Sequence, residues 1–85
     1  MSHWKFAKAI RENEEFRIEG LNFWNHYWHC VDKKVEVAGP DGGNIYYFKE
    51  YQIADSDKTV NFVAGEFSDA KVGIYIKDEL REGKL

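Results

Sequence analysis

The pentapeptide GPDGG, Gly39 to Gly43, restricts this chain more than any other stretch. Pro40 presets φ for a turn and the glycines around it accept positive φ at little cost, so the backbone reverses here. Both flanks alternate. Before the turn, KKVEVAG sets Val35 and Val37 on one face. After it, NIYYFKEYQI sets Ile45, Tyr47, Tyr51 and Ile53 on one face and Tyr46 and Phe48 on the other. Period-two alternation on both sides of a turn is the pattern of an antiparallel hairpin.

The same logic extends outward. EFRIEGL alternates Phe16 and Ile18 against Arg17 and Glu19, a short strand stopped or bent at Gly20. ADSDKT is a turn and TVNFVAG a further strand. The two ends differ. SHWKFAKAIRENEE places Phe6, Ala9, Ile10 and Asn13 at helical spacing behind Ser2 as a cap. Towards the C-terminus, KVGIYIK alternates and is rich in β-branched residues. The wider window nevertheless favours a helix over 69–82. Ser68 would be the N-cap, Asp69 would sit in the first turn, Lys77 and Arg81 towards the end, and Gly83 at the C-cap. The expected fold is α+β, a single domain over 1–85. It comprises an N-terminal helix, an antiparallel meander of four or five strands and a C-terminal helix, with the helices covering one sheet face.

Composition bounds the function. A chain of 85 residues with three Trp, five Tyr and six Phe can build one core without disulfides. The net charge of −3 leaves no electrostatic footprint for duplex nucleic acid or an anionic membrane. Cys30 is the only cysteine, which excludes an intrachain disulfide and suits a reducing cytoplasm. No apolar run approaches the roughly 18 residues of a membrane span.

The densest chemistry lies in FWNHYWHC, residues 23 to 30. His26, His29 and Cys30 would share a face of a helix and could then converge on zinc, but on a strand His29 points away from the other two. Paired CxxC or HxxxH spacings are missing, so no metal or other cofactor is assigned. The aromatics Trp24, Tyr27 and Trp28 could stack nucleobases, helped by Lys33 and Lys34. Asp32 and Glu36 flank those lysines and oppose a phosphate-tracking groove. Asp55, Asp57, Thr59, Asn61 and Glu66 imitate a calcium loop, yet Val60 stands where its sharp turn needs glycine.

Packing explains part of this aromatic surplus, but a strand carrying rings on both faces exceeds what one small core hides. The expectation is a non-enzymatic protein-binding module, an inhibitor or regulator of the kind often coded by phages and mobile elements. Its partner surface would centre on Trp24, Tyr27 and Trp28, with Tyr46 and Phe48 next. Single-stranded nucleic acid is the alternative ligand, and a homodimer would be another way to cover the rings.

Overall fold

The computed structural model describes residues 4–77. They form β1 (Trp4–Arg11), β2 (Arg17–Ile18), β3 (Leu21–Asn22), a 3-10 turn (Phe23–Asn25), β4 (His29–Ala38), β5 (Ile45–Ala54), β6 (Thr59–Phe67) and β7 (Lys71–Lys77). Five strands make one antiparallel sheet in the order β1-β7-β6-β5-β4, while β2 and β3 pair as a small hairpin. The β4–β5 hairpin lies where its turn signal places it. Ala38 pairs with Ile45, and Gly39 N–H donates to the Asn44 carbonyl at 2.7 Å across the turn. Between Ile18 and Leu21, Glu19 and Gly20 both take positive φ (50° and 87°), the two-residue geometry that suits a twisted hairpin.

The α+β expectation is overturned, because no α-helix occurs among the described residues and nearly all of the structure is antiparallel sheet. The expected N-terminal helix is β1. Its pairing with β7 shifts between Phe6↔Tyr75 and Lys8↔Ile74, leaving Ala7 as an extra residue. One extra residue reverses the phase of a strand, so Trp4 and Phe6 face one side and Lys8 and Ile10 the other. The helix-like interval from Phe6 to Ile10 is a strand with a slip in it.

The expected C-terminal helix is likewise replaced by a strand, β7, over Lys71–Lys77. It lies between β1 and β6, with Gly73, Ile74 and Tyr75 buried in succession, a pattern that suits a strand covered on both faces. Ser68 caps no helix. It opens the return from β6, which passes through Asp69 and Ala70 at φ 67° and 58°. The remainder of that expected helix, 78–82, and Gly83 lie outside the described residues.

The helices were also expected to cover one sheet face. That cover is instead the excursion between β1 and β4. On this outer face Ile10, Ile53, Val60, Phe62 and Ile74 pack beneath Ile18, Leu21 and Phe23. The opposite, inner face gathers Val37, Val63 and Tyr75 with Trp4, Phe6, Val35, Tyr46, Phe48 and Phe67. The sheet curls around this second cluster until its edge strands, β1 and β4, approach each other. The Tyr75 hydroxyl spans the interior and donates to the Ala38 carbonyl at 2.7 Å.

Candidate functional site

The stretch 23–30 is neither strand nor helix along its length. Asn22 Oδ1 accepts from Trp24 N–H at 3.1 Å and starts the 3-10 turn, the chain then extends, and His29 opens β4. This tight turn drives Phe23 into the outer core, where it is fully buried. Four rings surround it: Phe16, Trp24, Trp28 and Phe62, with centroids 5.6, 5.0, 4.5 and 4.9 Å away. Burying one such side chain contributes about 2–3 kcal/mol.

Trp24 and Trp28 stand beside Phe23 and stack on each other, centroids 5.5 Å apart and planes 29° from parallel. Both indole N–H groups donate to backbone carbonyls of the chain. Trp24 Nε1 reaches the Glu14 carbonyl at 2.6 Å, and Trp28 Nε1 reaches the Phe23 carbonyl at 2.9 Å. Tyr51 of β5 closes the row, 5.2 Å from Trp28. Burial pushes the Tyr51 hydroxyl pKa up, and the neighbouring Cys30 thiol adds to the shift.

The covering excursion does not fill the space beyond these rings. A cleft of about 580 Å³ opens there, with Trp24, Trp28 and Tyr51 among its walls and Ala64 and Val72 contributing from the sheet. Glu12, Glu66 and Lys71 also line it, an excess of one negative charge. A shallower groove shares Tyr51, Ala64 and Glu66 with it and runs on past Tyr47 and Lys49. The arrangement offers aromatic and aliphatic surface bordered by carboxylates.

The residues expected to meet a partner do not form one patch. Trp24 and Trp28 share the cleft. Tyr27 is not part of its lining and projects outward, 84% exposed. Tyr46 and Phe48 pack half-buried against the inner cluster, stacked on each other at 5.3 Å and in contact with Phe67, and Phe48 also lines the shallower groove. Lys33 and Lys34 sit in the irregular part of edge strand β4, and Lys34 Nζ lies 5.0 Å from the centroid of the Tyr47 ring.

His26, His29 and Cys30 do not converge. His26 Nδ1 donates to the Asn22 carbonyl at 2.7 Å, and the Cys30 thiol reaches the Asp32 carbonyl at 3.8 Å. Among the described residues, no three His, Cys, Asp or Glu side chains gather closely enough to hold a metal. Among the same residues, no helix is long and apolar enough to cross a membrane.

Sequence reasoning missed Tyr51, Glu12, Glu66 and Lys71 as neighbours of the tryptophans. Tyr51 was legible only as one face of a strand and Glu66 only as the end of a calcium-loop imitation, because their meeting depends on how the excursion lies over β5 to β7. Comparison with known proteins finds no matching family, no similar curated sequence and no similar solved structure.

Proposed function

We propose that this chain is a non-enzymatic binding module that docks onto another protein through the Trp24–Trp28–Tyr51 cleft, as a small inhibitor or regulator. One observation carries this reading: the two stacked indoles flank an open cleft while their N–H groups are bonded to carbonyls of the chain itself. The partner therefore meets carbon and π surface, the composition of a docking hot spot, with charged groups at the rim to set register. The single exposed thiol of Cys30 suits a cytoplasmic setting. Single-stranded nucleic acid fits less well, since Glu12 and Glu66 border the rings and would repel phosphates, while Lys33 and Lys34 are not part of the lining.

The test is affinity co-purification from the native host, followed by calorimetry with the protein recovered. Trp28→Ala, checked for folding by circular dichroism, should weaken that complex by about 2 kcal/mol or more. Tyr27→Ala should leave it nearly unchanged. A folded Trp28→Ala variant that binds as tightly as wild type rules out the cleft as the docking surface.

A further inference from the structure

Resting on that docking reading, we infer that the anchor seated in the cleft is a cationic side chain of the partner, arginine above all. Three features of the molecule converge on this chemistry.

The first is that three rings elsewhere in the chain, though not the exposed Tyr27, have a lysine of the same chain beside them. Lys8 Nζ lies 5.9 Å from the Phe16 centroid, Lys34 Nζ 5.0 Å from Tyr47 and Lys77 Nζ 5.1 Å from Trp4. The face of an aromatic ring is negative, and a cation near it is attracted. Among the described residues, no lysine or arginine is placed in this way over Trp24, Trp28 or Tyr51. The one lysine of the lining, Lys71, is not so placed either.

The second is that both indole N–H groups are already bonded to carbonyls of the chain. An acidic or carbonyl-bearing anchor would look for donors, and the tryptophans have already used theirs on Glu14 and Phe23. What they leave for a ligand is the aromatic surface that lines the cleft. Trp is the strongest ring for a cation, and the planar guanidinium of arginine also stacks on it.

The third is charge. Glu12 and Glu66 line the same cleft, and among the described residues neither forms an ion pair. A guanidinium between rings and carboxylates would satisfy both, whereas a purely apolar anchor would leave the carboxylates unused. The shallower groove past Tyr47 and Lys49 gives the flanking chain a path on which Lys49 would meet an acidic or carbonyl group.

Capped tripeptides with arginine, citrulline, lysine or leucine at the centre test this directly. Each is titrated into the whole protein while the Trp24 and Trp28 indole N–H signals are followed by NMR. Citrulline keeps the length and planar shape of arginine, removes the charge and exchanges one nitrogen donor group for a carbonyl acceptor. The arginine peptide should bind about tenfold more tightly than the citrulline peptide, with lysine between them. Glu66→Gln, a change at an exposed position, should weaken the arginine peptide about threefold. If citrulline or leucine moves the indole signals at the same concentration as arginine, the cationic anchor is overturned while the cleft stands as a docking surface. If no peptide moves them, the cationic anchor also falls. The docking reading is then judged on its own by the Trp28→Ala complex.

Discussion

A methyl group added at position 65 would enter the Phe48 ring. Gly65 pairs with Gly73 across β6 and β7, and a Cβ at Gly73 would come within 2.6 Å of the Phe67 ring. The two bare positions let Phe48 and Phe67 lie flat on the inner face, their centroids 5.7 Å apart. Aromatic cover of a strand glycine restores the packing that the glycine gives up. Gly65→Ala should therefore cost about 1–3 kcal/mol in urea unfolding, because the Phe48 ring must move and its neighbours follow. This contact holds the half-buried Phe48 ring against Gly65. Alternation showed which face of β5 it occupies. That the face is closed over by β1 and β4 depends on curvature, which no local pattern encodes.

At the scale of elements, the turns and strands with clean alternation were legible and the phase slips were not. GPDGG and its flanks specify the β4–β5 hairpin locally, since proline, glycines and period-two apolar residues agree. In β1 the bulge at Ala7 turned a strand pattern into an apparent helical one. Before β7, Ser68 and Asp69 resemble a helix start because both residues serve caps and tight turns alike. The turn that forms has a cost at Ala70, whose φ of 58° is unfavourable for any side chain with a Cβ. Ala70→Gly should raise stability by about 0.5–1 kcal/mol, read as a higher thermal midpoint. A lowered midpoint would overturn the assignment of backbone strain to this turn.

The whole molecule depends on keeping a curled sheet curled, and Tyr75 is placed to do so. Only 1% of it is exposed, and its hydroxyl ties β7 to the Ala38 carbonyl of the far edge strand. Burial, with Tyr46 nearby, pushes its pKa from the ordinary 10.0 up to about 12. The neutral hydroxyl is thus preferred in the folded state. Its contribution is complete below pH 10 and is lost as pH rises through about 12. Stability should fall by about 1 kcal/mol per pH unit across that window from this group. Tyr75→Phe should lower stability at pH 7 by about 1 kcal/mol through the lost hydrogen bond, and should flatten the alkaline slope. Urea unfolding of both proteins at pH 7, 10 and 11 measures each effect, and an unchanged slope would assign the alkaline loss to other groups.

By itself, the amino-acid sequence determined the central hairpin, the side of β5 on which each ring lies and the lone thiol, because these follow from neighbouring residues and backbone stereochemistry. Tertiary structure alone decided that Tyr46 and Phe48 pack half-buried against the inner cluster, that Trp24 and Trp28 flank an open cleft, and that Glu12, Glu66 and Lys71 join them. Those outcomes come from the curl of a five-stranded sheet and from how far one excursion reaches across it. Both depend on contacts between residues distant in the chain, which local periodicity cannot carry.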